Sequence, residues 1–172
     1  MRDVTASNGP ELIRVGQLEI RYLQQADEHV QMGCFELRVP PGSNVPPSHA
    51  HGGHEELMFV LDGCLRVNVG ALTRDLGPGD CISTPPGVPH GFSNPHLATA
   101  RVLVVNSPDI GAQYFREMAN IVNAPGGPDK AKVVATMQRF GLVPAPTPPA
   151  PTPPAPTPPA PTPATAPLGA RS

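Results

Sequence analysis

Between residues 18 and 105 the chain is written in short runs that alternate apolar with polar residues and stop at glycine or proline. Leu18, Ile20 and Tyr22 alternate with Glu19 and Arg21, and Phe35, Leu37 and Val39 alternate with Glu36 and Arg38. A period of two puts successive side chains on opposite faces of a strand, one dry and one wet. Pro40-Pro41-Gly42, Asp62-Gly63 and Gly77-Pro78-Gly79-Asp80 are the turns between such runs. Many short strands with this punctuation exclude a helical bundle or an α/β sheet and leave an all-β sandwich or barrel.

Two runs, Leu57-Met58-Phe59-Val60-Leu61 and Val102-Leu103-Val104-Val105, are apolar on both faces. A strand of that kind is covered on both sides. In a one-domain barrel the outer cover is another sheet or a second subunit, and a homodimer is expected. Helical spacing appears only late. Asp109 to Asn120 places Ile110, Tyr114 (or Phe115) and Met118 on one face. Asp129 to Phe140 does the same with Val133, Met137 and Phe140, and Gly141 is placed to end that helix. Both helices are expected to close over the outside of the barrel.

About half of the 26 prolines lie past residue 142, where Ala-Pro-Thr-Pro-Pro occurs three times from Ala145. Proline removes backbone donors and favours polyproline II, so no core forms from this segment. At ~3.1 Å per residue its twenty-odd residues reach roughly 70 Å when extended. The expected organisation is a flexible arm over 1–14, a folded unit over 15–142 and a disordered Pro/Ala/Thr-rich tail over 143–172. A unit of this size buries a core without disulfides. The three cysteines, Cys34, Cys64 and Cys81, are odd in number and form no C-x-x-C pair, which reads as free thiols in a reducing cytoplasm.

The 172 residues carry a net charge of −2, and no lysine or arginine cluster offers a footprint for nucleic acid or an anionic membrane. No run approaches the ~20 apolar residues of a membrane span, and the first residues contain no apolar core of a signal peptide.

Of six histidines, His49 and His51 are two apart, so on a strand both imidazoles face one point. Glu56 opens the next apolar strand, and a barrel can bring the strand carrying His90 alongside. Three imidazoles and a carboxylate suit one divalent transition metal: Fe, Mn, Ni, Cu, Co or Zn. Four protein ligands on an octahedral ion leave about two positions for water, dioxygen or a chelating substrate. His29 and His96 have no partners at ligand spacing. Met58 and Val60 share strand parity with Glu56, and Phe92 shares it with His90, so these three are expected to line a pocket. His54, beside the site, is a further lining candidate.

These residues carry a resemblance. Gly42, His49-Ala50-His51, Glu56 and Gly63 resemble the first motif of the cupin superfamily, and Gly79, Pro85, Gly87, His90 and Asn94 fit its second motif at every position. The six residues from Glu56 to Gly63 match that motif and select Glu56 over Glu55. One departure is a single extra residue between Gly42 and His49. The resemblance spans roughly 15–142 and points to the small single-domain bacterial cupins. It implies a jelly-roll β-barrel with two short C-terminal helices, in which His49, His51, Glu56 and His90 hold the metal. Many relatives are dioxygenases, the quercetin dioxygenases among them. Others are lyases, isomerases, decarboxylases or binding proteins. The expected function is an oxygenase-like enzyme acting on a small aromatic or enol-type metabolite. The alternatives are a non-oxidative metal-dependent enzyme and a non-catalytic small-molecule-binding cupin. A non-oxidative reaction needs its own acid or base, for which Glu36, His54 and Tyr22 are the candidates.

Overall fold

Eleven antiparallel strands and two helices make up the computed structural model, which describes residues 10–43 and 47–145. One sheet has six strands. Its sequential members are β1 (Glu11–Val15), β2 (Leu18–Gln24), β3 (Gly33–Val39), β5 (Glu55–Asp62), β8 (Cys81–Thr84) and β10 (Ala100–Ser107), in the spatial order β1-β2-β3-β10-β5-β8. The second sheet has five: β4 (His49–His51), β6 (Leu65–Val69), β7 (Leu72–Leu76), β9 (His90–Ser93) and β11 (Leu142–Pro144), in the order β11-β4-β9-β6-β7. Strands that are distant in sequence are neighbours in space, as β10 between β3 and β5 shows. This is the all-β, jelly-roll architecture expected from the alternating runs.

The alternation translates directly into burial. Ile20, Leu37, Val39, Val60, Val102 and Val104 point inward and are almost wholly buried, each contributing roughly 1.5–3 kcal/mol relative to exposure. Glu36 and Arg101 face outward, and the guanidinium donates to the carboxylate at 2.9 and 3.3 Å. Arg38 is exposed, with its nearest charge at Glu19, 3.7 Å away. The second face of the strands expected to be covered on both sides is half-buried at Leu57, Phe59, Leu103 and Val105.

The arm expected over residues 1–14 is shorter than that. β1 begins at Glu11, pairs along its length with β2 and buries Ile13 and Val15. Three residues of periodicity are too few to separate such a strand from a loop, and besides β2 it is supported by a distant helix. That helix, α1 (Ala112–Val122), is tied to β1 by Arg116, which donates to Glu11, and by Asn123, which bonds Gly16 N and Arg14 O. At the other end, β11 continues two residues past the expected boundary at 142 and buries Leu142. The Ala-Pro-Thr-Pro-Pro repeats, apart from Ala145, lie outside the described residues.

The second helix, α2 (Lys130–Arg139), follows its capping signals. The Asp129 carboxylate accepts from Ala131 N and Lys132 N at 3.0 and 3.2 Å, satisfying donors that the first turn leaves unpaired. The helix stops at Gly141, whose φ of 77° is a left-handed conformation that suits glycine. Tyr114, Met118 and Met137 are buried, and Phe115, Met118, Val133 and Met137 line the central cavity. The helices therefore close the cavity itself rather than only cover the barrel's outside.

Candidate metal centre

The short strand β4 presents His49 and His51 on one face, as residues two apart must be. Its register sets His49 opposite His90 on β9 and His51 opposite Leu142 on β11. β5 brings Glu56 from the facing sheet. All four side chains are buried, with exposures of 5, 3, 2 and 8% for His49, His51, His90 and Glu56.

The ligand atoms of His49, His51 and His90 lie within 4.8 Å of one another. Nε2 of His49 is 3.1 Å from Nε2 of His51. The Glu56 carboxylate stands 3.4 Å from His90 Nε2 and 4.0 Å from His51 Nε2. His49 Nδ1 donates to the Pro47 carbonyl at 2.9 Å and His90 Nδ1 to the Val88 carbonyl at 3.0 Å. A carbonyl only accepts, so these contacts place the ring proton on Nδ1 and leave a lone pair on each Nε2. His90 Nε2 and His51 Nδ1 are buried without a hydrogen bond among the described residues. Lone pairs converging in a dry site are costly when unpaired, and a divalent cation removes that cost. The donor set, three imidazoles with a carboxylate alongside, fits such an ion.

The charges are arranged accordingly. Burial pushes the His51 imidazole down to about 4, and it also lowers His49, so both stay neutral. Burial acts against ionisation of Glu56, but the three histidines around it outweigh that and hold the carboxyl down at about 2. His90 runs the other way: burial opposes its charge, and the Glu56 carboxylate 3.4 Å from its Nε2 raises it. Neutral imidazoles and an ionised carboxylate are the forms that ligate metals.

The cluster sits at the wall of a cavity of about 430 Å³. Met58 and Phe92 are in its lining, as are Phe35, Leu37 and Val104. Val60 and His54 are not. Val60 shares parity with Met58 but is wholly buried in the core beyond the cavity. His54 is half-exposed, and its Nδ1 donates to the Pro108 carbonyl at 2.7 Å. His29 lies on the exposed surface, and His96 stands 3.6 Å from Asp75. Asn94 serves its turn, donating to Val39 O and Ala98 O at 2.8 Å.

Among the lining residues that were not singled out in the sequence as site residues are the polar Ser48, Asn106, Tyr114 and Lys130. Asn106 follows in parity from Val102 and Val104, and its Nδ2 donates to Glu56. Tyr114 carried only the signal of an inward helix position. Burial raises its phenol above the usual range, with Glu56 adding to the effect.

Comparison with known proteins agrees with this geometry. Residues 35–106 match the family model described as a cupin domain. A sugar phosphate isomerase of the cupin superfamily from Silicibacter pomeroyi is similar at 28% identity and a TM-score of 0.50. The match covers 55% of this chain and 62% of that protein, less than two thirds of its length. The protein TT1209 from Thermus thermophilus is also 28% identical, with a TM-score of 0.50 over 55% of this chain and 89% of that one. An RmlC-like cupin from Shewanella frigidimarina shares the fold at 24% identity and a TM-score of 0.52, over 63% and 93% of the two chains. No curated protein sequence matches the chain. The two spaced motifs, the two-sheet barrel and these likenesses agree: residues 35–106 form a cupin domain.

Proposed function

We propose that this chain is a metal-dependent enzyme in which His49, His51, His90 and Glu56 hold one divalent transition metal, and that it acts oxygenase-like on a small, largely apolar molecule. The observation that carries the reading is the cavity itself: the imidazole cluster forms part of the wall of a chamber lined mostly by apolar side chains such as Phe35, Leu37, Met58, Val104, Met118 and Met137, with Ser48, Asn106, Tyr114 and Lys130 as its few further polar groups. Apolar walls with a few convergent polar groups select an apolar body with a polar head. Of the candidate metals, the redox-active ones supply dioxygen chemistry, and all of them supply a Lewis acid. The chain's own residues exclude water, hold His49 and His90 in the Nδ1–H form and keep Glu56 ionised.

A non-oxidative isomerase is the second reading, favoured by the likeness to the sugar phosphate isomerase. Against it stands the placement of the three acid–base candidates. Glu36 faces outward to Arg101, Tyr22 donates to Asp109, and His54 lies off the lining. The apolar lining also suits a phosphorylated sugar poorly. The test is elemental analysis of protein purified without chelator or nickel affinity, followed by oxygen uptake on a panel of catechols and flavonols. Bound redox-active metal with uptake on that panel supports the oxygenase reading. Bound metal with no uptake, but turnover of sugar phosphates, replaces it with the second.

The half-buried outer patch of Leu57, Phe59, Leu103 and Val105, with Leu61 39% exposed, supports a homodimer through that sheet. Sedimentation showing a monomer at micromolar concentration refutes it. Cys34, Cys64 and Cys81 are free thiols, which supports a reducing cytoplasmic setting. Among the described residues no helix is long and apolar enough to cross a membrane.

A further inference from the structure

The sequence holds two tyrosines, and both are buried. Their hydroxyls are treated differently. Tyr22 donates to the Asp109 carboxylate, whose oxygens also accept from Ala26 N and Gly111 N, so that phenol is part of a closed network. Tyr114 is 5% exposed and packs its ring against Phe115 and Phe140, at centroid distances of 5.0 and 5.5 Å. Its hydroxyl makes no hydrogen bond among the described residues. That oxygen is not among the wholly enclosed unpaired atoms, so it borders the cavity's open space, where a ligand can accept from it. Tyr114 lines the same cavity as His49, His51, Glu56 and His90, and the Glu56 carboxylate acts on its ionisation.

We infer that the Tyr114 hydroxyl is a ligand-binding group: it donates its hydrogen bond to an acceptor oxygen on the metal-bound head of an apolar-bodied chelator. This rests on the metal-centred reading above and narrows its substrate class. The ligand's head carries at least one oxygen that still accepts a hydrogen bond while it chelates, as the oxygens of a catechol, an enol ketone or a hydroxy-carbonyl compound do. A purely apolar guest leaves the phenol unpaired, and a multiply charged sugar phosphate meets mostly apolar wall. Tyr114 is thus a donor that selects the head group, set on α1, while the apolar lining selects the body.

The test uses the full chain loaded with zinc, in wild-type form and as Tyr114→Phe and Tyr22→Phe. Metal content is read by elemental analysis. Two probes are titrated: 4-nitrocatechol, a chelator with acceptor oxygens, followed by visible absorbance, and naphthalene, an apolar guest without them, followed by fluorescence. Tyr114→Phe is expected to keep its zinc, to weaken nitrocatechol binding about five- to tenfold, as one lost hydrogen bond does, and to leave naphthalene binding within about twofold. Tyr22→Phe is expected to leave the ratio of the two affinities unchanged. Equal changes for both probes assign Tyr114 a packing role and overturn the inference, as does no change for either. A zinc-loaded wild type that refuses nitrocatechol also overturns it, while leaving the metal reading intact. A wild type that takes up no zinc removes the metal reading, and the inference with it.

Discussion

Asn106 and Glu56 face each other in the register of β10 and β5, and Asn106 Nδ2 donates to Glu56 Oε2 across 3.2 Å. The amide fixes one carboxylate oxygen, while the other stands nearer His90. Partners of this kind orient ligating groups, and their loss typically costs 10–100-fold in metal affinity. Asn106→Ala is therefore expected to weaken zinc binding by about tenfold or more in a calorimetric titration. Undiminished affinity means that Glu56 needs no such support.

His51 is the imidazole with an unpaired Nδ1 and with Nε2 directed at His49. His51→Ala is expected to remove most of the bound metal, read by elemental analysis. Glu56→Gln keeps the shape and removes the charge, so it is expected to weaken binding while leaving the fold intact by circular dichroism. Retained stoichiometric metal in His51→Ala refutes the ligand set.

Metal-free protein is expected to lose stability as pH falls from about 6.5 towards 4. The buried His51 titrates near 4 instead of its ordinary 6.5, so in that window the unfolded chain binds a proton that the folded one refuses. The 2.5-unit difference (6.5 − 4) amounts to roughly 3 kcal/mol, fully lost only below the folded value. His49 acts in the same direction. His90, raised by Glu56, opposes them: its contribution is present below its unfolded value and is lost as pH rises through its folded one. Glu56 loses its contribution as pH falls from its ordinary 4.5 towards about 2, mostly below that window. Melting temperatures of chelator-treated protein at pH 4.5 and 7 decide the matter, with the lower value expected in acid. A flat profile shows that the imidazoles are not held neutral by burial.

Gly63 turns the chain between β5 and β6 with φ at 74°, and a Cβ built there falls 2.5 Å from the Thr99 carbonyl oxygen. Gly63→Ala thus meets both a left-handed backbone and a backbone clash. A loss of about 1–3 kcal/mol or more is expected in urea unfolding. A loss below about 0.5 kcal/mol would show that the turn relaxes freely.

The sequence exposed some of this through parity and spacing and hid the rest for physical reasons. His49 and His51 had to share a face, and Asp129 and Gly141 marked where α2 starts and stops. Parity names a face but not a depth, which is why Met58 reaches the cavity while Val60, on the same side, sinks into the core. β1 was hidden because the helix that holds it lies a hundred residues away, bonded through Arg116 and Asn123. Asn106 and Tyr114 looked like ordinary inward positions, and only the folded neighbourhood shows one bonding a carboxylate and the other bonding nothing. His54 looked close to the site because it is close in sequence, but a carbonyl at Pro108 holds its ring.

The pairing of β11 with β4 sets an order of events. Among the described residues, the strand bearing His49 and His51 has β9 on one side and residues 141–145 on the other. During synthesis that flank stays open until the end of α2 has left the ribosome, so the histidine strand is among the last parts of the barrel to be sealed. Metal captured earlier would be held by a half-built cage. A chain cut just before Leu142 would therefore be expected to retain much of the six-stranded sheet and yet to hold its ion poorly.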